Sequence, residues 1–384
     1  MCIRDRYLEE MTLRRLLKRY SEFLQFPIEL YAEKTEYEQV VDEEATAKDE
    51  NGTEPIMKNV PKNVQAYEVV NSMRPLWLRS PKEVNASEHG EFYKSAFRAF
   101  DDPLKTIHFS LEGQVQFKAL MYVPSRLPFE LSQNMFDENA NGMKLYVKRV
   151  FINDKFDLVP RWMVFLRGIV DSEDLPLNVG REILQKSKML SIIKKRLVRK
   201  AIDAFGEIQK NATEYDGFWT NFGKYIKVGV VEETGDVQKD LAKLCRFYST
   251  KSGEDFTTLE EYVSRLPENA TKILFVSGDS KAGAAMSPVL ERLKKMDYEV
   301  LLLPEPLDEL VVQSVGEFDG KRLVDAAKDD LKDIFDDDDD DDESAGDFED
   351  LCESLKAFLG KKVCLLYTSP SPRDATLSRM PSSA

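Results

Sequence analysis

The residue best placed to do chemistry is Arg181, in the stretch Asp171 to Lys200, D-S-E-D-L-P-L-N-V-G-R-E-I-L-Q-K-S-K-M-L-S-I-I-K-K-R-L-V-R-K. A guanidinium stays charged at any physiological pH, and its five donors form a planar fork that matches phosphate oxygens. Its position in the chain is equally suggestive. Pro176 removes a backbone donor and fixes its own φ, while Gly180 tolerates dihedrals that other residues avoid, so the first half of the stretch reads as a loop. Beyond Glu182, Leu190, Ile193, Leu197, Ala201 and Phe205 fall three or four apart with Met189 beside them, which paints one apolar face of a helix. An arginine held between a constrained loop and a basic helix can sense phosphate; it can also simply cap or salt-bridge its own loop.

Other chemistries find little material. The chain has two histidines, His89 and His108, and neither stands in a triad or zinc-site pattern, so both read as surface or packing residues. Its four cysteines, Cys2, Cys245, Cys352 and Cys364, match neither a metal spacing nor a disulfide framework, so no metal is expected. A net charge of -15 opposes binding to nucleic acid or anionic lipid, despite Lys194, Lys195, Arg196, Arg199 and Lys200 on the helix after the loop. No nucleic-acid partner and no membrane partner is expected, since no run of eighteen apolar residues occurs. The Ser277-Gly278-Asp279-Ser280 turn opens a helix but lacks the spaced glycines and lysine of a phosphate loop, and reads as a turn.

The stretch around Arg181 resembles the catalytic loop of the middle domain of heat shock protein 90 family chaperones. L-Y-V-K-R-V-F-I (Leu145 to Ile152), G-I-V-D-S-E-D-L-P-L-N-V (Gly168 to Val179), R-E-I-L-Q (Arg181 to Gln185) and R-P-L-W-L-R (Arg74 to Arg79) are all similar to that family's signatures. The resemblance implies an ATP-dependent chaperone of the stress response. Arg181 would reach the γ-phosphate of ATP with magnesium held by a separate amino-terminal domain, Gln185 would support it, and Asn178 would shape the loop. The chain departs from the family at Gly180, where serine is usual; a glycine loosens the loop. This sequence contains no nucleotide-holding motif, so the chain alone is expected to be inactive as an ATPase. The family pattern further implies client binding through Trp77 and Phe129, aromatics beside prolines that hold them outward, with Trp77 the more exposed. Implied partners are client proteins, co-chaperones and, in a full-length protein, a second copy as homodimer. The alternative is a non-catalytic protein-interaction scaffold.

These residues need elements to hold them, and at 384 residues with 42% hydrophobic content the chain has room for two or three cored domains. The expected class is α/β (α+β), two layered αβα units joined by a helical segment, with a truncated start of a helical dimerisation domain. Residues 1–6 and 364–384 fit no neighbouring periodicity and read as adapter-derived sequence. Residues 7–32 read as the last helix and strand of a nucleotide-binding domain, poorly anchored without it. Residues 33–65, rich in charge and short of large apolar side chains, read as a linker. The large αβα subdomain spans 66–205, with strands at Thr106 to Leu111, Val115 to Val123 and Leu145 to Ile152. A helical segment follows over 206–270, in which Trp219, Phe222 and Tyr225 read as core. The small αβα subdomain, 271–327, is a strand, one helix from Lys281 to Lys295 and a parallel strand. Residues 328–363, with the acidic run Asp336 to Asp342, read as the start of the dimerisation domain.

The compartment is read from two weak signs. W-L-R-S-P-K-E-V (Trp77 to Val84) resembles the endoplasmic reticulum branch of the family, endoplasmin, and four N-x-S/T sequons begin at Asn51, Asn85, Asn211 and Asn269. The expectation is the endoplasmic reticulum lumen, with the cytoplasm as alternative.

Overall fold

A computed structural model describes residues 9–24, 26–41, 57–71, 75–137, 142–153, 157–175, 188–267 and 270–328. The chain forms two compact units, one ending at Leu244 and the other beginning at Cys245. That division falls inside the 206–270 stretch expected as the helical segment.

The first unit opens with helix α1 (Glu10–Ser21), then strands β1 (Glu29–Val41) and β2 (Met57–Val69). The two strands pair antiparallel over their whole length, from Glu29 opposite Val69 to Val41 opposite Met57. The expected linker over 33–65 is corrected here, because its two described limbs are a β-ribbon. Charge is compatible with such a ribbon: backbone pairing satisfies its polar groups without requiring both faces to be apolar. The expectation that α1 and its neighbours are poorly anchored is also corrected. Phe23 is only 3% exposed, and its ring meets that of Trp77 edge-on at 4.6 Å between centroids.

A one-turn 3-10 helix at Leu76–Leu78 leads to α2 (Ala86–Phe97), whose N-cap Asn85 and Glu88 form a reciprocal capping box. Strands β3 (Lys105–Leu111) and β4 (Phe117–Val123), the short helix α3 (Phe129–Gln133), then β5 (Gly142–Val147), β6 (Val150–Asn153) and β7 (Arg167–Ser172) follow. They form one sheet in the order β3-β4-β7-β5-β6, with β7 in the middle and only the β5–β7 pairing parallel. The single strand expected over Leu145 to Ile152 is in fact a hairpin. Lys148 and Arg149 both adopt positive φ, 51° and 68°, as a tight two-residue turn requires. Neither is the asparagine or glycine that normally announces such a turn, which is why the pattern read as continuous.

Helices α4 (Lys188–Gln209), α5 (Ala212–Glu232) and α6 (Asp236–Leu244) complete the unit. Trp219, Phe222 and Tyr225 are buried, and Phe222 stacks on Phe165 at 4.4 Å between centroids. The other face of the sheet carries a second cluster, in which Leu120, Tyr122, Tyr146 and Ile169 pack with Phe23, Trp77 and Phe92. Sheet faces covered on both sides explain why β4 is buried at Leu120 and Tyr122 as well as at Ala119 and Met121.

The second unit contains β8 (Arg246–Ser249), β9 (Thr257–Thr258), α7 (Leu259–Arg265), β10 (Lys272–Ser277), α8 (Lys281–Ala285), α9 (Val289–Lys295), β11 (Leu301–Leu303), α10 (Pro306–Val315), β12 (Glu317–Phe318) and β13 (Lys321–Asp325). Its sheet order is β12-β13-β10-β11-β8-β9, and β10 runs parallel to both β11 and β13, as a crossover connection dictates. The helix expected from Lys281 to Lys295 is broken, because Pro288 caps a fresh start at Val289.

Phe23→Ala tests how firmly α1 is held. A packed ring predicts a loss of about 3–5 kcal/mol in urea unfolding of the first unit. An unanchored segment would show a change near zero.

Candidate functional site

The candidate site is the root of the segment carrying Arg181. Asn178, Gly180, Arg181 and Gln185 themselves lie outside the described residues, so the structure speaks to what holds the two ends of that segment. At the far end stands α4, with Leu190, Ile193, Leu197, Ala201 and Phe205 buried along one face, as the spacing requires. Its basic residues are partly engaged with acids of the same unit: Arg199 pairs with Asp203 and Asp240, and Lys200 lies 3.9 Å from Asp203.

At the near end stands β7, the central strand, and its last residues are tied down on every side. Ser172 Oγ donates to the Gln116 carbonyl at 2.9 Å, and Asp174 Oδ2 accepts the Gln116 amide at 2.6 Å. The Lys148 amide donates to the Ser172 carbonyl at 3.2 Å. Between them Asp171, 5% exposed, accepts the Trp77 indole N–H on Oδ2 at 2.9 Å and the Arg149 amide on Oδ1 at 3.2 Å. Burial raises the Asp171 pKa from the usual carboxylate value, against the opposing pull of the bonds from Trp77 and Arg149. Three segments distant in sequence, around Trp77, Arg149 and Asp171, thus converge on one carboxylate.

This geometry corrects the outward orientation expected of Trp77. The side chain is 1% exposed, sealed by Phe23, Phe92 and Tyr146. A buried indole N–H needs an acceptor, and Asp171 supplies it, so the ring faces inward although Pro75 precedes its turn. Phe129 behaves oppositely. It is 74% exposed on the first turn of α3, held by Ser132 Oγ donating to its carbonyl at 2.7 Å and by Glu130 lying 3.8 Å from Arg167. The structure therefore does not bring Trp77 and Phe129 to one exposed surface.

Asp171 was missed in the sequence, although a signal existed. In G-I-V-D-S the aspartate continues an apolar strand at the period of Ile169, which places it on the covered face. The sequons Asn85 and Asn211 also find a different use: each caps a helix, accepting the amide of Glu88 or Glu214 on its side chain. Asn51 and Asn269 lie outside the described residues.

Comparison with known proteins adds the following. The model of the Hsp90 protein family matches residues 6–370. Heat shock protein 90-5, chloroplastic, of Arabidopsis thaliana is 40% identical over 369 residues, covering 94% of this chain and 47% of that protein. Heat shock protein 90-6, mitochondrial, of the same plant is 40% identical over 370 residues, covering 93% of this chain and 46% of that protein. The chain spans about half the length of these curated relatives. The structure of the middle domain of a putative heat shock protein of Plasmodium falciparum matches with a TM-score of 0.60 at 43% identity, covering 66% of this chain and 100% of that one. The expected assignment to the endoplasmic reticulum lumen is overturned, because both relatives are organellar in another sense, chloroplastic and mitochondrial. The endoplasmin resemblance rested on eight residues, of which Trp77 is fixed by packing.

Trp77→Phe keeps an aromatic ring but removes the donor to Asp171 and trims the buried indole to a smaller phenyl. It should cost about 1–3 kcal/mol, because a buried carboxylate oxygen loses its partner. The pH dependence has a definite sign. Since folding raises the Asp171 pKa, the folded state holds that proton more tightly, and the stability associated with it falls as pH rises from the unfolded value of about 3.9. The difference in urea midpoint between the unmutated chain and Asp171→Asn should therefore shift against the unmutated chain as pH rises above the unfolded carboxylate value; parallel profiles would contradict the assignment.

Proposed function

The chain belongs to the Hsp90 family, and from that premise we propose that it is the central segment of an ATP-driven chaperone that supplies the catalytic arginine to a nucleotide held by another domain. The observation carrying this reading is the construction at Asp171, where the motifs of the resemblance meet at the root of the segment bearing Arg181. A central strand and a long packed helix are rigid mounts, and transition-state charge is best stabilised by a group whose mount does not move. Arg181 would bring its guanidinium to the γ-phosphate as charge develops on it, in the manner of an arginine finger. Gln185 would support that side chain, and Asn178 would shape its loop. ATP and magnesium would be held mainly by the separate domain, so this chain alone would not turn ATP over. Client proteins would be held at exposed apolar surface, with Phe129 as one contact, and the buried Trp77 would act through the sheet rather than by touch. Co-chaperones and a second copy would be partners of the longer protein. The names of both curated relatives favour a plastid or mitochondrial setting.

Grafted into a complete family member, Arg181→Ala should lower kcat by about 10³-fold or more, the usual worth of an arginine finger. Unchanged turnover would remove the catalytic reading and leave a protein-interaction scaffold. Phe129→Ser should change stability by no more than about 0.5 kcal/mol while weakening the suppression of aggregation of an unfolded protein; full suppression would take Phe129 out of the client surface.

A further inference from the structure

The chain's two histidines lie beneath the Trp77 turn, and the proposed mechanism uses neither. His89, on α2, is buried with Nδ1 3.2 Å from Tyr122 Oη on β4. His108, on β3, has Nε2 3.4 Å from the Trp77 carbonyl oxygen. A carbonyl only accepts, so Nε2 carries the hydrogen and Nδ1 of the neutral ring is left with a bare lone pair. That Nδ1 is buried and has no hydrogen-bond partner. The two imidazoles stand edge to face with centroids 5.5 Å apart. Trp77 is thus anchored twice, by its carbonyl to His108 and by its indole N–H to Asp171.

The surroundings disfavour a charge on either ring. Burial is the main cause that lowers both pKa values. At His89 the neighbouring His108 and Arg79 push the same way, against Glu88, whose carboxylate is already bound by Arg79 at 2.7 Å. At His108 Lys118 of β4 pushes the same way, and the bond to the Trp77 carbonyl, which a charged ring would strengthen, only partly offsets burial. A proton on His108 Nδ1 would create a buried N–H with no acceptor, and the ring must then turn toward water. That movement takes Nε2 away from the Trp77 carbonyl.

We propose that the His89–His108 pair is an acid-sensitive latch on the Trp77 turn: protonation from solvent at His108 Nδ1 frees residues 76–78 from the sheet and breaks the Trp77–Asp171 hydrogen bond. The sign follows from linkage. Both folded-state values lie below the unfolded value of about 6.5, so the neutral pair contributes its stability above that pH and loses it as pH falls below. Acidification therefore opens the latch and loosens the root of the Arg181 segment.

The test uses the whole chain labelled with 15N-tryptophan, whose three indole N–H signals are followed from about pH 7.5 to 5.5. Trp77→Phe identifies the Trp77 signal. Its protection from solvent exchange should fall at least tenfold with acid while Trp162 and Trp219 keep theirs. In the His89→Asn, His108→Gln double variant, whose amides offer donors but take no proton, protection of Trp77 should stay constant. Protection of Trp77 retained to the lowest pH, lost together with that of the other two tryptophans, or lost equally in the double variant overturns the proposal; the last outcome would assign the transition to Asp171 or Glu88. Should the double variant fail to fold, the ring signals of the two histidines in the unmutated chain decide. The Trp77 transition must then coincide with titration of His89 or His108, and a mismatch overturns the latch.

Discussion

A carboxylate taken out of water must be given donors, and the first unit is arranged around that demand at Asp171. Desolvation of an unpaired buried charge costs several kcal/mol, and removing one partner from a satisfied one is correspondingly destructive. Here the donors come from an indole N–H in the Trp77 turn and from a backbone amide at the β5–β6 turn. The second donor explains a backbone feature that propensity does not. Lys148 and Arg149 hold left-handed dihedrals, costly for such residues, in a turn whose amides face Asp171 and the Ser172 carbonyl. One aspartate therefore orients a hairpin, closes the aromatic cluster over the sheet, and fixes the point at which the central strand gives way to the segment carrying Arg181.

This placement connects the fold to the proposed activity. Catalytic side chains supplied to a substrate in another domain gain most from mounts that resist displacement, since errors of an ångström cost large factors in rate. The sheet supplies one mount through the in-register neighbours of Asp171, Lys118 on β4 and Tyr146 on β5. Helix α4 supplies the other, with eight apolar residues buried in the core. Client contact makes the opposite demand, for exposed apolar area at small entropic cost. Phe129 would suit that demand, being exposed on a short helix with Glu130 near Arg167, whereas Trp77 is buried in the scaffold.

Much of this was legible in the residues. The helix from Lys188, the β3–β4 hairpin, the core role of Trp219, Phe222 and Tyr225, and the parallel β10–β11 pair all follow from periodicity and connection rules. What escaped was decided by long-range partners. The inward turn of Trp77 depends on an acceptor 94 positions away, and prolines beside an aromatic say nothing about where that acceptor lies. The β5–β6 turn lacks its usual residues because tertiary bonds hold it. The charge of the 33–65 stretch disguised the strands at its two described ends, since local composition measures the lack of a core and not the presence of a pairing strand. Motif resemblance named Asn178, Arg181 and Gln185, which lie outside the described residues, while the aspartate that organises their mount emerged only from the contacts.

The measurement that bears most directly on this account is a double-mutant cycle on the Trp77–Asp171 pair, comparing Trp77→Phe, Asp171→Ala and the two together in urea unfolding. If the indole–carboxylate bond is the tie that holds the turn to the root of the loop, the second substitution should cost much less after the first, with a coupling energy of about 1–3 kcal/mol. Losses that add to within about 0.5 kcal/mol would mean that the two residues act independently, and would contradict the account.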